Sequence, residues 1–481
     1  MSNRIMKILF VAAEAEPLIK VGGLADVVGS LPKALNELGH DVRVMLPGYG
    51  AIDADKLSAT TVIDSFNVSV MQTDKAVSSK IVELANKLKI YLVDSADFSG
   101  SRAVYGKDDL ERFLLFCRSA IEILRRLDWQ PDIIHCHDWH TGLIPLLLKA
   151  GNYDYASIFT IHNLAYQGNF NSEFLAKSGL KEDWQLRPTN APEPPLNFMS
   201  QGIIWADLVT TVSETYAAEI LTPEYGAGLD YLLRYRQDRL FGIVNGLDYD
   251  EFNPVTDDFI PAKYNVSKSD KKNNNKLALQ KIAGFAADAE IPLIGMVSRL
   301  DEQKGLDILD AGFDALFQKT KCQMVVLGQG RQEYHDLLKE AAKRYSQQLA
   351  AFIEFDERLS HLVYAGSDMF LMPSRFEPCG LGQLIAMKYG TVPIVRHTGG
   401  LVDTVQDLTP DLSQGSGFVF EDYNSEAMLA AIQRAVNGYR NKAWRKVIQR
   451  IMALDFSWQA SAKKYESLYQ KVLELPRHAG R

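Results

Sequence analysis

Short apolar runs alternate with amphipathic stretches along the chain, which is the pattern of an α/β fold with parallel strands. Residues 7–12 (KILFVA) are continuously apolar, as expected of a strand that is buried on both faces. Helical periodicity follows over 24–38, and the next apolar run covers 41–46. These three segments predict a βαβ unit, for which a right-handed crossover is the default.

The same alternation predicts two α/β sheets, one in each half of the chain. Residues 109–127 show the clearest amphipathic helical pattern. Further strands are predicted in the first half at 90–93, 132–135, 157–161, 208–212 and 240–244, and in the second half at 292–297, 323–327, 352–355, 369–372, 392–395 and 417–420.

The segment between the two series is polar and suggests a linker. Residues 253–276 contain the low-complexity stretch KSDKKNNNK, which predicts an exposed loop. A hinge near Asn253 would divide the chain into an N-terminal domain over 1–252 and a C-terminal domain over 253–456. The remaining residues, 457–481, begin with an amphipathic helix that could pack on either domain.

Composition narrows the class of protein. The chain has 481 residues, of which 47% are hydrophobic and 23% charged, and its formal net charge is −8. These values exclude a mainly disordered chain, and the acidic balance argues against a nucleic-acid-binding surface. Four cysteines without CxxC spacing indicate a reduced, cytosolic protein. The first apolar run ends at Glu14, too early for a signal peptide, and no apolar stretch has the roughly 20 residues that span a bilayer.

Two glycine-rich pentapeptides lie where loops enter helices. Residues 22–26 read GGLAD and residues 399–403 read GGLVD, and Lys20 precedes the first of them. Glycine lets a backbone approach a ligand closely, and the N–H groups of a helix start attract anions. An anionic ligand is one interpretation, and a tight turn with a solvated lysine is the other.

Polar clusters end two neighbouring strands of the first half. Residues 135–141 read HCHDWHT, in which His135 and His137 share one face of a strand end. This spacing argues against a metal site, because zinc sites usually gather ligand pairs from separate elements. Asp138 is expected to cap the following helix. His162 and Asn163 end the next strand, so we expect a ligand site at this edge of the sheet.

The second half carries charged residues after its strands. Arg299 and Lys304 follow the strand at 292–297, although Asp301 and Glu302 could neutralise them. The densest segment is 373–382 (PSRFEPCGLG), whose carboxylate beside anion-binding amides suits a polyhydroxylated, phosphorylated ligand. Cys379 in this segment would be a nucleophile only beside a base, and we interpret it as buried packing.

Taken together, these segments resemble glycosyltransferase family 5, which contains the bacterial glycogen synthases and the plant starch synthases. The resemblance runs in order along the whole chain, and long motifs such as PSRFEPCGL are highly specific. The matching segments are KVGGLADV at 20–27, HCHDWHTGL at 135–143, IHNLAYQG at 161–168, VNGLD at 244–248, SRLDEQKG at 298–305, PSRFEPCGL at 373–381 and HTGGLVDTV at 397–405.

The resemblance implies the GT-B fold: two Rossmann-like domains that face a central cleft, and a C-terminal helix (457–481) that crosses back to the N-terminal domain. It implies transfer of glucose from ADP-glucose, or sometimes UDP-glucose, to the 4-hydroxyl at the non-reducing end of an α-1,4-glucan, with retention of configuration. The implied catalytic residues are Glu377, His162, Lys304, Arg299 and Asp138. The implied substrate-binding residues are Lys20, Gly22, Gly23, Asp26, Asn163, Asn245, Cys379, Gly380, Leu381, Gly382, Gly399 and Gly400.

No cofactor and no metal are expected in this reaction. Asp-x-Asp pairs occur at 53–55 and 248–250, but neither lies in a glycine-rich segment. Arg299 and Lys304 are therefore expected to neutralise the departing diphosphate. The chain departs from the family pattern at Gly382, where many bacterial members have threonine, and at 98–105, which is shorter than usual.

Other functions remain open at this point. A glucan phosphorylase shares the fold type, but it needs a pyridoxal phosphate lysine and usually a longer chain. A GT-B enzyme with another acceptor is disfavoured by PSRFEPCGL and KVGGLADV together. An inactive glucan-binding scaffold would not need the cations of a diphosphate clamp. The sequence leaves open the choice between ADP-glucose and UDP-glucose, the physiological glucan, processivity, and whether the compartment is the bacterial cytosol or a plastid stroma.

Overall fold

The strands pair into two separate sheets in a computed structural model that describes residues 4–180, 183 and 190–476. Each sheet belongs to its own compact unit. Unit 1 comprises residues 1–246 and 458–481, and unit 2 comprises residues 247–457. The chain therefore passes between the units a few residues before the hinge predicted near Asn253. No helix in the described ranges combines the length and the apolar character needed to cross a membrane.

In the described ranges the unit 1 sheet has nine strands, in the order β3-β4-β5-β2-β1-β6-β7-β8-β9. All neighbouring pairs from β5 to β9 are parallel, whereas β4 is antiparallel to both β3 and β5. The strands are β1 (Lys7–Val11), β2 (Asp41–Pro47), β3 (Thr60–Val70), β4 (Thr73–Glu83), β5 (Lys89–Asp94), β6 (Ile133–His137), β7 (Ala156–Ile161), β8 (Leu208–Thr211) and β9 (Leu240–Gly242).

The antiparallel hairpin of β3 and β4 was not predicted from the sequence. Its two-residue turn is formed by Met71 and Gln72, with φ values of 51° and 62°. Hairpin turns with two positive φ angles normally use Asn-Gly or Asp-Gly, which are the signals read from sequence. Because this turn uses neither, the pattern gave no indication of a hairpin.

Eight α-helices precede β9 in the described part of unit 1. The first, α1, starts at Gly23, inside the glycine-rich pentapeptide at 22–26. The helices are α1 (Gly23–Glu37), α2 (Ala96–Ser99), α3 (Asp109–Leu124), α4 (Leu143–Ala150), α5 (Ser172–Ser178), α6 (Phe198–Trp205), α7 (Glu214–Glu219) and α8 (Asp230–Tyr235).

The unit 2 sheet has six strands, all parallel, in the order β12-β11-β10-β13-β14-β15. Counted within the unit, this is the order 3-2-1-4-5-6 of a Rossmann fold. The strand predicted at 352–355 instead ends at Phe352, and Phe355 is 83% exposed. The strands are β10 (Leu293–Val297), β11 (Gln323–Leu327), β12 (Leu349–Phe352), β13 (Met369–Met372), β14 (Val392–Arg396) and β15 (Phe418–Phe420).

Helices cover the unit 2 sheet, and one large apolar cluster between them forms its core. They are α9 (Lys272–Ile282), α10 (Leu306–Lys319), α11 (Gln332–Arg344), α12 (Glu357–Gly366), α13 (Gly382–Lys388), α14 (Gly400–Thr404), α15 (Ser425–Tyr439) and α16 (Trp444–Met452).

The last helix, α17 (Trp458–Glu474), lies in unit 1 and packs beside α1. Its apolar face, including Trp458 and Tyr465, joins the core cluster that contains β1 and α1. Two polar contacts anchor it to the unit: Tyr469 Oη lies 2.9 Å from Nδ1 of the buried His135, and Glu466 lies 3.2 Å from His40 Nε2.

The prediction of an exposed loop at KSDKKNNNK was wrong. Residues 266–271 form a 3₁₀ turn and residues 272–282 form α9, which buries Lys272, Asn275 and Lys276. Asn275 pairs with both backbone polar groups of Ala262, at 2.8 and 2.9 Å. Lys276 Nζ contacts Asp368 Oδ2 at 2.7 Å, and the side chains are 1% and 8% exposed. The buried polar residues of this helix face are thus satisfied by partners elsewhere in unit 2.

This buried pair gives a stability prediction. Lys276→Ala leaves Asp368 buried without its cation, so we expect the free energy of unfolding to fall by about 3–5 kcal/mol. Lys281→Ala removes an exposed lysine from the same helix and should change it by less than about 1 kcal/mol. Guanidinium unfolding of the two variants measures both values. Equal stability of Lys276→Ala and Lys281→Ala would contradict the role assigned to the pair.

Candidate functional site

In both units the strand order reverses beside the first strand of the sheet. In unit 1 the reversal lies between β1 and β6, and in unit 2 it lies between β10 and β13. Open α/β sheets bind ligands at the carboxyl ends of the strands, at such a reversal, because the loops on its two sides diverge. The loops that start there contain 12–22 and 138–142 in unit 1, and 298–305 and 373–381 in unit 2.

In unit 1 the glycine-rich loop is held by an internal carboxylate. Glu14 is 2% exposed, and its Oε2 accepts hydrogen bonds from the Val21 amide at 2.5 Å and the Gly22 amide at 3.0 Å. Tyr105 Oη donates to Glu14 Oε1 at 3.0 Å. Burial raises the pKa of the Glu14 carboxyl above its usual range, against the effect of these bonds. The Glu14 side chain therefore accepts hydrogen bonds from amides that the sequence suggested would bind an external anion.

The lysine of this loop is also paired. Lys20 Nζ contacts Asp26 Oδ1 at 2.6 Å and Glu16 Oε2 at 3.8 Å, and its side chain is 36% exposed. The structure thus places Lys20, Gly22, Gly23 and Asp26 together at the start of α1, with the cation accessible from solvent.

Asp138 has a strained backbone and a buried side chain. Its φ and ψ are 55° and −179°, a region that residues other than glycine rarely adopt. The sequence suggested that the Asp138 side chain caps the following helix, but it makes no capping hydrogen bond. Instead Oδ1 accepts hydrogen bonds from the His162 amide at 2.7 Å and the Asn163 amide at 3.5 Å. Burial raises the pKa of Asp138 to about 7, and the charge of Glu14 adds to this effect.

His162 is oriented by a second histidine, since its Nε2 lies 3.0 Å from His137 Nδ1. His137 is fully buried, and its Nε2 has no hydrogen-bond partner in the described part of the chain. A buried N–H without a partner is less tolerable than a buried lone pair. His137 therefore donates through Nδ1–H, and His162 Nε2 accepts. Because burial lowers the pKa of His162 to about 3, this residue is a neutral imidazole with its proton on Nδ1.

The other histidines of the segment have structural partners. The rings of His135 and His137 lie 4.3 Å apart on one face of the strand, as alternation predicts. His140 stacks on Tyr105 with 5.2 Å between ring centroids. No set of three metal-ligating side chains forms around these histidines among the residues described.

Asn163 and Asn245 are the two asparagines of the predicted site, and both lie in unit 1. Asn163 Oδ1 accepts a hydrogen bond from the Ala165 amide at 3.0 Å and shapes the turn after β7. Asn245 is 6% exposed, and its Oδ1 is buried without a hydrogen-bond partner within the described ranges. An unpaired buried acceptor of this kind suits a ligand donor.

In unit 2 the two loops at the reversal are fastened to each other. The Arg375 amide donates to the Gln303 carbonyl at 2.8 Å, and Gln303 Nε2 donates to the Phe376 carbonyl at 3.1 Å. Gly305 has a φ of 72°, and a Cβ there would lie 2.0 Å from the Pro373 carbonyl oxygen. Only glycine fits at this contact.

This fastening brings Lys304 and Glu377 into a largely buried ion pair. Lys304 Nζ contacts Glu377 Oε2 at 2.7 Å, and the side chains are 15% and 7% exposed. Ser374 Oγ donates to the same oxygen at 2.9 Å. Among the described residues no hydrogen bond reaches Glu377 Oε1. The carboxylate is therefore anchored through one oxygen and can accept a hydrogen bond through the other.

Arg299 lies on the same loop but is more exposed. Its side chain is 51% exposed and contacts Asp301 at 3.3 Å, so part of its charge is neutralised as the sequence suggested. Its guanidinium also lies 3.4 Å from Gln303 Oε1. A second anion can still approach this fork from solvent.

Gly399 and Gly400 pack closely against the backbone of residues 377–379. The Gly400 amide donates to the Glu377 carbonyl at 3.0 Å, and a Cβ on Gly399 would lie 2.0 Å from that oxygen. The second glycine-rich pentapeptide therefore supports the backbone of Glu377. The segment from Cys379 through Gly380 and Leu381 leads into α13, which begins at Gly382. Cys379 is 5% exposed, and its thiol forms no disulfide.

Comparison with known proteins agrees with this arrangement. Residues 7–235 match the family described as starch synthase catalytic domain, and residues 280–450 match glycosyl transferases group 1. Glycogen synthase of Moorella thermoacetica is 45% identical over 99% of each chain, and that of Geotalea daltonii is 44% identical over 97% of this chain and 99% of its own.

The chain belongs to the glycogen and starch synthase family.

A solved structure supports the same assignment. The catalytic domain of starch synthase IV from Arabidopsis thaliana, bound to ADP and acarbose, has a TM-score of 0.88 and 34% identity over 98% of this chain and 100% of its own. The chain is therefore a glycosyltransferase with the GT-B fold, and the resemblance read from its motifs is confirmed.

Sequence reasoning about this glycosyltransferase missed Glu14, Tyr105 and the role of His137. Glu14 was used only as the end of an apolar run, although a buried acid directly after a parallel strand lies at the ligand-binding edge. Tyr105 lies in the short segment 98–105, whose contacts could not be predicted. His137 could have been found from its register with His135, but the bond to His162 depends on the pairing of β6 with β7.

The raised pKa of Asp138 predicts how stability depends on pH. Between about pH 4 and pH 7 the folded state keeps a proton that the unfolded chain loses, so stability falls as pH rises through this window. Asp138→Asn cannot ionise. We expect it to increase the free energy of unfolding, by little near pH 4 and by up to about 4 kcal/mol above pH 7.

Guanidinium unfolding at ~pH 5 and ~pH 8 measures this difference. The exposed Asp74→Asn serves as the control and should show no such trend. The assigned ionisation would be contradicted if Asp138→Asn raised the free energy of unfolding equally at both pH values, or lowered it increasingly as pH rises.

Proposed function

We propose that this chain transfers glucose from ADP-glucose to the 4-hydroxyl at the non-reducing end of an α-1,4-glucan, with retention of the anomeric configuration. The observation that carries the proposal is the Lys304–Glu377 pair at the strand-order reversal of unit 2. It combines a cation for a leaving diphosphate with an anchored carboxylate for a sugar hydroxyl. Membership of the family, and the ADP and acarbose of the Arabidopsis relative, support this choice of substrates.

Lys304 and Arg299 would stabilise the leaving group. Negative charge builds on the diphosphate as its bond to the glucosyl carbon breaks, and preorganised cations lower the energy of that state. The Lys304 ammonium has three N–H donors, and Glu377 engages one of them. Arg299 can grip two oxygens with its planar fork, whereas lysine acts as a point charge. Backbone amides of Cys379 to Gly382 would complete this anion site.

Glu377 would contact a glucosyl hydroxyl through Oε1. A carboxylate that accepts a hydrogen bond from the donor sugar helps most when positive charge develops on the ring. Lys304 and Ser374 hold the carboxylate in place before the sugar arrives. Gly399 and Gly400 support its backbone, as their close packing on residues 377–379 indicates.

Unit 1 would contribute hydrogen-bonding groups and the cation of Lys20. His162 would donate through Nδ1–H beside the glucosyl ring, since its Nε2 is engaged by His137. Asp138, Asn163 and Asn245 would contact donor or acceptor hydroxyls. Lys20, with Gly22, Gly23 and Asp26 around it, would lie near the phosphates, where a phosphate oxygen competes with Asp26 for the ammonium group.

The chemical step needs no protein nucleophile in this proposal. The acceptor 4-hydroxyl attacks the glucosyl carbon from the side of the leaving group, and the new carbon–oxygen bond forms as the bond to the diphosphate breaks. The hydroxyl proton passes to a diphosphate oxygen, which gives ADP and a glucan that is one residue longer.

We place the reaction in the cytosol, because all four cysteines are free and buried.

A transfer assay tests the proposal. Purified protein in excess EDTA, with ADP-glucose and maltoheptaose, should release ADP and form maltooctaose, whose new linkage is α-1,4 by proton NMR. UDP-glucose should be used at least tenfold less efficiently by kcat/KM. Absence of transfer from ADP-glucose, activity that depends on an added divalent ion, or a β-linked product would contradict the proposal.

A further inference from the structure

Unit 2 contains a cluster of metal-ligating groups that the proposed reaction does not use. One ring nitrogen of His361 and one carboxylate oxygen each of Glu251 and Glu357 lie within 4.8 Å of one another. Glu357 and His361 are four residues apart on α12 and so share one face of the helix. Glu251 comes from the segment that follows β9. Two separate elements therefore bring one nitrogen and two oxygen ligands together.

The histidine of this cluster is oriented as metal ligands usually are. His361 is 2% exposed, and its Nδ1 lies 2.8 Å from Asp257 Oδ2. Asp257 accepts two further hydrogen bonds, from Tyr389 Oη at 2.6 Å and from the Phe259 amide at 2.8 Å. Metal-binding histidines almost always donate their second N–H to a carboxylate, a carbonyl or a water in this way, which fixes the ring and its tautomer.

The bond to Asp257 decides which nitrogen is left for a ligand. Asp257 Oδ2 accepts a hydrogen bond from Tyr389 Oη, and its Oδ1 accepts one from the Phe259 amide. Asp257 therefore acts as an acceptor in this cluster, and Nδ1–H of His361 donates to it at 2.8 Å. No hydrogen bond to Nε2 is found among the described residues, so this nitrogen is the one left for a ligand.

Aromatic rings fix the plane of this imidazole. Phe252 stacks on His361 with centroids 5.0 Å apart and an interplanar angle of 20°, and Phe259 meets it edge-on at 5.0 Å. The ring cannot easily turn to form other bonds. The two glutamates differ from it, because Glu357 is exposed and Glu251 is half-buried, so their side chains can close around an ion.

We propose that Glu251, Glu357 and His361 bind a zinc ion, with water as the fourth ligand. Zinc takes imidazole nitrogen and carboxylate oxygen at about 2.0–2.2 Å, in a tetrahedral arrangement. Two ligand atoms on one zinc are therefore closer together than the 4.8 Å limit within which these three lie, and the glutamate side chains need only a small rearrangement. Magnesium and calcium prefer all-oxygen sites, which this cluster does not provide.

The bound ion would link the start of unit 2 to α12. Glu251 lies close to the point where the chain enters the unit, and Asp257 already ties the next turn of the chain to His361. Zinc that binds only the folded state raises the stability of that state in proportion to its affinity. We assign the site a structural role, separate from glucosyl transfer.

Zinc titration of the metal-free protein, without an affinity tag, tests this proposal by calorimetry. We expect one equivalent of zinc per chain, and at least tenfold weaker binding in Glu251→Gln and in Glu357→Gln. The matched control is Glu354→Gln, which removes an exposed acid just before α12 and should bind zinc like the natural chain. Cobalt in place of zinc should give the strong visible absorption of a tetrahedral site, lost in the same two variants.

The thermal unfolding midpoint is a further readout that does not depend on activity. Zinc should raise the thermal unfolding midpoint of the natural chain and of Glu354→Gln, but not that of Glu357→Gln, and all of them should transfer glucose at the same rate. Zinc affinity that is unchanged in Glu251→Gln and Glu357→Gln, which is the result expected if the histidines of unit 1 bind the metal, would overturn the proposal. Equal losses in Glu354→Gln, as expected from general surface charge, would also overturn it.

Discussion

Parallel strands present their carboxyl ends at one edge of a sheet, and a reversal of strand order separates the loops that leave that edge. In unit 1 the segments with Glu14 and Asp138 lie at the reversal between β1 and β6. In unit 2 the segments with Lys304 and Glu377 lie at the reversal between β10 and β13. The candidate chemistry of each unit lies on these loops and on their immediate neighbours. The topology of the sheets thus sets where side chains from distant parts of the sequence meet.

At both edges a carboxylate of the protein holds the groups that would bind an anion. Glu14 engages the amides of the glycine-rich loop, Asp26 pairs with Lys20, and Glu377 pairs with Lys304. Such pairing keeps donors and cations in fixed positions, which is what electrostatic stabilisation of a developing charge requires. Asp138 of unit 1 is in an energetically unfavourable state, because its buried carboxyl has a raised pKa and its backbone is strained. Strain of this kind is typical of functional sites rather than of scaffolds.

Much of the fold and the position of the site could be predicted from sequence, because buried parallel strands are continuous apolar runs and the motifs follow them directly. Failures occurred where tertiary contacts override local signals. Residues 272–276 look like a solvated loop, yet Asn275 and Lys276 are satisfied by partners that are distant in sequence. Met71 and Gln72 form a turn that usually needs glycine. The same holds for Glu14 and Tyr105, whose bond joins residues 91 positions apart.

The proposed reaction requires that Lys304 and Glu377 act on the substrate, and do not merely fasten two loops. The most direct test is kcat with ADP-glucose for the double variant Lys304→Gln with Glu377→Gln, in which two neutral amides replace the ion pair. We expect this variant to fold with near-natural stability, because no buried charge is left unpaired, while kcat falls by about a hundredfold or more. A stably folded double variant that keeps near-natural kcat would contradict the role proposed for Lys304 and Glu377.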